Sequence, residues 1–156
     1  MKPTILSALC ALAFALPAAA TLAAPVQISD AYARSSNPKS GAAFMIIANE
    51  GADDCTLIGG FSPRAGRVEL HTSRENDAGL MEMVALDDGI TIPAHGTHHL
   101  ARGGDHLMLM ELPEPLAQGD EVPVTLDFGS CGTVELLLPL DNDRRAEHGA
   151  GDHSAH

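Results

Sequence analysis

Between residues 26 and 139, apolar and polar positions alternate in short runs broken by glycine, proline or aspartate. A period of two marks a strand with one buried face, because successive side chains point to opposite sides of a sheet. Ten segments carry the pattern: VQISDAYA (26–33), AAFMIIAN (42–49), TLIGG (56–60), RVELHTS (67–73), GLMEMVAL (79–86), GITI (89–92), THHLA (97–101), HLMLMEL (106–112), VPVTLDF (122–128) and TVELLLPL (133–140). Turn signals such as NEGADD, DDG, ARGGD and PEPLAQGD separate them. No window sustains a helical period with caps. Many short strands at close spacing predict an all-β chain, a Greek-key β-sandwich or barrel, in one domain of residues 25–139.

The two ends break the pattern. After Lys2 an uncharged apolar run, ILSALCALAFALPAAATLAA, ends in small residues. That is the layout of a secretory signal over residues 1–24, too short and too interrupted by Pro17 for a membrane span. The expectation is export to the periplasm, signal cleavage and no stable membrane insertion afterwards. Cys10 has Leu9 before it rather than the small residue of a lipidation signal. Residues 140–156, LDNDRRAEHGAGDHSAH when read from Leu140, offer little apolar surface to bury and predict a flexible, disordered tail carrying His148, His153 and His156.

Export changes the meaning of the cysteines. Without the signal, Cys55 and Cys131 remain, an even pair in a compartment that permits disulfides. Neither has a metal-type cysteine partner nearby, so a structural disulfide is expected, with two free thiols as the alternative. Charge narrows the partners. The chain carries 9 Lys and Arg against 21 Asp and Glu, for a formal net charge of −12. Phosphates would be repelled, which argues against nucleic acid, and the absence of tryptophan removes the usual stacking platform.

Candidate chemistry sits on three of the predicted strands. In HLMLMEL, Leu107 and Leu109 face one way while His106, Met108 and Met110 face the other. In RVELHTS, Val68 and Leu70 share a face and His71 takes the opposite one; the next segment adds Met81 and Met83 at the same two-residue spacing. Methionine is an ordinary core filler, so each alone has a structural explanation. Together, His71, Met83, His106 and Met108 form a set of imidazoles and thioethers. Thioether sulfur is soft and suits Cu(I), not hard divalent ions. In an oxidising compartment it also escapes the disulfide formation that overtakes thiolates.

These residues carry a family resemblance. The stretches GRVELH, MEM, GITIPAHGTHHLARGGDHLMLMEL and LAQGDEVPVTLDF resemble the periplasmic PCuAC-type copper chaperones. That family is marked by a histidine, a methionine about a dozen positions on, and a His-x-Met some two dozen further along. His71, Met83 and His106-Leu107-Met108 match in order, with a loop between His71 and Met83 about a residue longer than usual. The upstream DAYARSSNPKSGAAFMIIANEGADDCTLIGG is similar too, so the likeness covers roughly residues 26–138. It implies a cupredoxin-like sandwich, one Cu(I) bound through His71, Met83, His106 and Met108, and delivery to a copper-receiving periplasmic protein or the binuclear copper domain of cytochrome c oxidase; a monomer is expected. Tyr32 and Arg34 match an aromatic-x-Arg element to which no chemical role is assigned.

Other metal-capable residues have weaker settings. Met81 and Met110 are read as apolar wall, while His95, His98 and His99 are read as exposed turn and strand histidines, with an accessory Cu(II) or Zn(II) site as the alternative. The tail histidines suit Cu(II). Two rival functions share the fold. A blue-copper electron carrier needs a cysteine thiolate near His and Met, and the residues after Cys131, GTVELLLPL, supply neither. A copper buffer would look the same in sequence as a chaperone. No nucleophile–base motif or phosphate loop points to an enzyme.

Overall fold

A computed structural model describes residues 24–145; the expected signal, Cys10 and the tail histidines lie outside the described residues. The expected all-β architecture is present, with eleven strands and one short 3-10 turn among the described residues. They are β1 (Val26–Asn37), β2 (Ser40–Asn49), β3 (Cys55–Leu57), β4 (Gly59–Phe61), β5 (Arg67–Glu75), β6 (Met81–Ala85), β7 (Ile90–Ile92), β8 (Thr97–Leu100), β9 (His106–Met110), β10 (Glu121–Asp127) and β11 (Thr133–Pro139), with the 3-10 turn at Gly129–Cys131.

The largest sheet runs β1-β2-β9-β5-β6, with β8 also paired to β2; β11-β10-β4 and β3-β7 form two smaller sheets. Every named strand pair is antiparallel. One hydrophobic core lies between the sheets. It joins Leu70, Leu107 and Leu109 of the large sheet to Val122, Val124, Leu126 and Leu138 of the β11-β10-β4 sheet, and to Leu57 and Ile92 of the β3-β7 pair. Alternation is obeyed where it matters: Leu107 and Leu109 are fully buried in this core, so His106, Met108 and Met110 must occupy the opposite face.

Two segments differ from the sequence expectation. TLIGG forms two strands in different sheets, because the chain crosses over at Ile58, whose N–H bonds to the Asp127 carbonyl. Gly60 is needed there: a Cβ at this position would meet the Thr125 carbonyl oxygen at 2.8 Å. Residues 140–145, expected to begin the disordered tail, are instead held against the domain. Leu140 is buried, and its neighbours are anchored by the Ser35 N–H to Asn142 and by Arg144 over the Tyr32 ring, 4.2 Å from its centroid. Composition hides this anchorage because it rests on one buried leucine, a cation–π contact and hydrogen bonds to residues far away in the chain.

The expected disulfide joins Cys55 to Cys131 with a Cα separation of 5.8 Å. It links β3 to the 3-10 turn after β10, closing a loop with a sequence separation of 76.

Candidate metal centre

The site face is the side of the large sheet turned away from the core. Register places its residues. His71 of β5 stands opposite His106 of β9, Glu69 opposite Met108, and Arg67 opposite Met110. On the other edge of β5, Ala85 of β6 faces His71 and Met83 faces Ser73. Directly paired residues project to the same side of a sheet, so His71, His106, Met83 and Met108 share one face, as their alternation in sequence requires.

The histidine row is the compact part. The rings of His71 and His106 have centroids 6.1 Å apart in an edge arrangement, and Phe44 of β2 lies 6.3 Å beyond His106. His106 is nearly inaccessible, at 3% exposure. Met108 and Met83 flank this row on opposite sides, each a diagonal neighbour of His71. The ladder sets their Cα atoms four residue steps and two strand spacings apart, roughly 16 Å. Register therefore brings the two imidazoles together directly and does not bring the two methionines together. Met108 is half-buried in the sheet, whereas Met83 is 61% exposed on the β5–β6 hairpin.

Local chemistry explains how each histidine is delivered. The β5–β6 hairpin closes through Asn76, whose side-chain oxygen accepts from the N–H groups of Ala78 and Leu80, while Gly79 takes a φ of 77°. His106 follows an excursion. Leu100 pairs with Met45 and Leu107 with Ala43 on β2, so residues 101–105 bulge out of what is otherwise one continuous edge. The excursion is closed by the Ala101 N–H to the Asp105 carbonyl and braced by His98, 2.9 Å from the Asp105 carboxylate.

Each imidazole has one ring nitrogen held and one left over. The Gly104 carbonyl, 3.0 Å from His106 Nδ1, can only accept, so Nδ1 carries the proton and Nε2 the lone pair. The Glu69 carboxylate, 3.1 Å from His71 Nε2, accepts in the same way and leaves the lone pair on Nδ1. Both leftover nitrogens, His71 Nδ1 and His106 Nε2, are buried without a hydrogen-bond partner. The bond from His71, opposed by desolvation and aided by Arg67, holds the Glu69 carboxyl below its ordinary value of 4.5 and keeps it an acceptor at neutral pH. An unpartnered buried polar atom costs about 1–3 kcal/mol. Two of them on cross-strand neighbours call for a partner, such as an ion or a water, on this face.

Other metal-capable residues are distributed elsewhere. Among the described residues no three His, Cys, Asp or Glu side chains gather into a cation cluster; beside the two imidazoles the same face carries the Glu69 carboxylate and the thioethers of Met108 and Met83. His95 and His99 are exposed and His98 is committed to Asp105. Tyr32 stacks near Phe44 at 5.3 Å, and Arg34 donates to the Arg144 carbonyl, giving both a packing role the sequence had not indicated. Sequence reading also passed over Glu69 and Gly104, the groups that orient the two rings. The E-x-H spacing of Glu69 and His71 on one strand face was the signal for the first of them.

Comparison with known proteins gives the family and the fold. The family described as putative lipoprotein LpqE-like matches residues 26–140. A putative lipoprotein, Lxx21020 of Leifsonia xyli subsp. xyli, is 36% identical over 116 residues, spanning 74% of this chain and 69% of that protein. Among solved structures, Cu(I)-bound DR1885 from Deinococcus radiodurans is 31% identical with a TM-score of 0.57, covering 80% of this chain and 84% of its own. The copper-bound PCuAC domain from PmoF2, at 22% identity and a TM-score of 0.61, covers 75% of this chain and 92% of its own and shares the fold. The chain thus belongs to the LpqE-like lipoprotein family, which is the PCuAC-like family, and has its cupredoxin-like β-sandwich.

Proposed function

We propose that this protein is a periplasmic copper chaperone that carries one Cu(I) on His71, His106, Met108 and Met83 and passes it to a copper-receiving protein, foremost the binuclear copper domain of cytochrome c oxidase. The observation that carries the reading is the pair of buried, unpartnered nitrogens on adjacent imidazoles. A ring centroid stands about 3 Å from an ion bound about 2 Å from its nitrogen, so centroids 6.1 Å apart bracket one ion. Imidazole alone does not select copper from zinc, but added thioethers favour the soft Cu(I). Cu(I)-bound DR1885, 31% identical to this chain, supports the same metal.

The unequal exposure of the two methionines favours delivery over storage. In this reading His71, His106 and Met108 form the inner set, and Met83, on an exposed hairpin, closes over the cargo and leaves first at hand-over. The apolar run of residues 1–24 and the Cys55–Cys131 bond support an exported protein.

The test is anaerobic titration of the mature protein with Cu(I), read by metal content and by competition with a Cu(I) chelator. One equivalent should bind, and binding should collapse in His71→Ala and His106→Ala. Full-strength binding by both folded variants would overturn the assignment. Transfer to an oxidase copper domain, followed by the spectrum of the acceptor, separates a chaperone from a buffer.

A further inference from the structure

We propose that Glu69 is a positioning residue for His71, holding the ring so that Nδ1 faces the site, and that Arg67 and Glu111 brace it in that role. The inference rests on the copper reading above and extends it to residues outside the ligand set. Glu69 divides its two oxygens: Oε2 accepts from His71 Nε2–H at 3.1 Å, and Oε1 accepts from Arg67 at 2.8 Å. Arg67 in turn donates through Nε to Glu111 at 3.0 Å. The chain of contacts runs from β5 to the end of β9, the two strands that carry the imidazoles.

Geometry excludes a ligand role for Glu69 in this arrangement. Its carboxylate meets the ring at Nε2, while the unpartnered nitrogen is Nδ1. The carboxylate and a metal would therefore sit on different ring nitrogens, the relation of an orienting carboxylate to a metal-bound histidine. Stability is a poor explanation for the brace. The paired side chains are 36–61% exposed apart from His71, and ion pairs of that kind contribute little. Glu111 also adopts φ 57°, a conformation that glycine would take more readily. Beside it, Gly66 leaves room that a Cβ would fill, since that atom would lie 2.8 Å from Glu111 Oε2. The backbone thus tolerates an unfavoured residue at 111 and clears space for its side chain, whose carboxylate lies against Arg67.

Three variants of the full mature protein test this: Glu69→Leu removes the acceptor, Glu69→Gln keeps a neutral one, and Arg67→Leu frees the carboxylate. In the metal-free protein, nitrogen-15 NMR of the imidazoles should show a protected Nε2 proton on His71 in wild type and Gln, and its loss in Leu. Cu(I) affinity should fall about 10- to 100-fold in Glu69→Leu, recover largely in Gln, and fall by less in Arg67→Leu. Thermal unfolding checks that all three fold. A protected Nε2 proton in Glu69→Leu together with wild-type affinity overturns the proposal, as does a Gln variant no better than Leu. Should wild type take up no Cu(I), the functional reading fails, while the metal-free spectra still decide whether Glu69 holds the ring.

Discussion

At the scale of single residues, softness and placement make separate demands. Met108 lies opposite Glu69 and diagonal to His71, whereas Met110, on the same face, lies opposite Arg67, a further two residues from the histidine row. Leucine replaces methionine at nearly constant volume, so Met108→Leu and Met110→Leu should each change stability by less than about 1.5 kcal/mol. Only Met108→Leu should weaken Cu(I) binding substantially, because of the two it alone removes a sulfur of the proposed ligand set. Chelator competition on the two folded variants decides; greater damage from Met110→Leu would mean the wrong methionine has been assigned. Charge at a single residue matters away from the site as well. The Ala117 N–H, opposed by desolvation and aided by Arg64, lowers the Asp120 carboxyl below its ordinary 3.8. A depressed folded value means the contribution is present above pH 3.8 and disappears as pH falls through the lowered value. Asp120→Asn should therefore be less stable than wild type at neutral pH and converge with it in strong acid. Parallel stability–pH curves for the two proteins would contradict that assignment.

At the scale of elements, the bulge of residues 101–105 matters most, because it interrupts the edge beside β2 and brings Gly104 to His106. The same carbonyl accepts from the Ser73 N–H of β5 at 3.3 Å, so the excursion ties both histidine strands together. His98 braces it through Asp105 in a pair about 30% exposed. Partly exposed pairs of this kind contribute about 1 kcal/mol or less, so His98→Ala should leave the fold intact. It should speed amide exchange at Ala101 and Ser73, two of the amides whose acceptors the excursion supplies. Hydrogen exchange on the purified variant measures this directly, and unchanged protection at both amides would show that the bulge stands without its brace.

For the whole molecule, the disulfide and the site face are separate supports. The Cys55–Cys131 bond joins β3 to the 3-10 turn, and neither element belongs to the large sheet. Closing a loop of this length stabilises by about 4.5 kcal/mol in the chain-entropy picture, with about 2–4 typical of measured cases. Cys55→Ala/Cys131→Ala should lose stability in that range, as read by denaturant unfolding. It should still bind one Cu(I) wherever it remains folded. A loss of copper stoichiometry in the folded double variant would mean that the two supports are coupled through the core.

The sequence by itself determined the strand alternation, and with it the face each donor occupies. A period of two fixes sidedness locally, so Leu107 and Leu109 read as core and His106 and Met108 as outward before any strand was paired. The pair of cysteines left outside the expected signal, Cys55 and Cys131, made the disulfide legible in the same way. Pairing and register were not legible, since they depend on contacts far apart in the chain. Only the tertiary structure decided that His71 stands opposite His106, that Met83 and Met108 flank that row from opposite sides, and that TLIGG divides between two sheets. It also decided which ring nitrogens are left without partners. That outcome rests on Glu69 and Gly104, a carboxylate and a backbone carbonyl whose roles arise only once register and the 101–105 bulge bring them against the imidazoles.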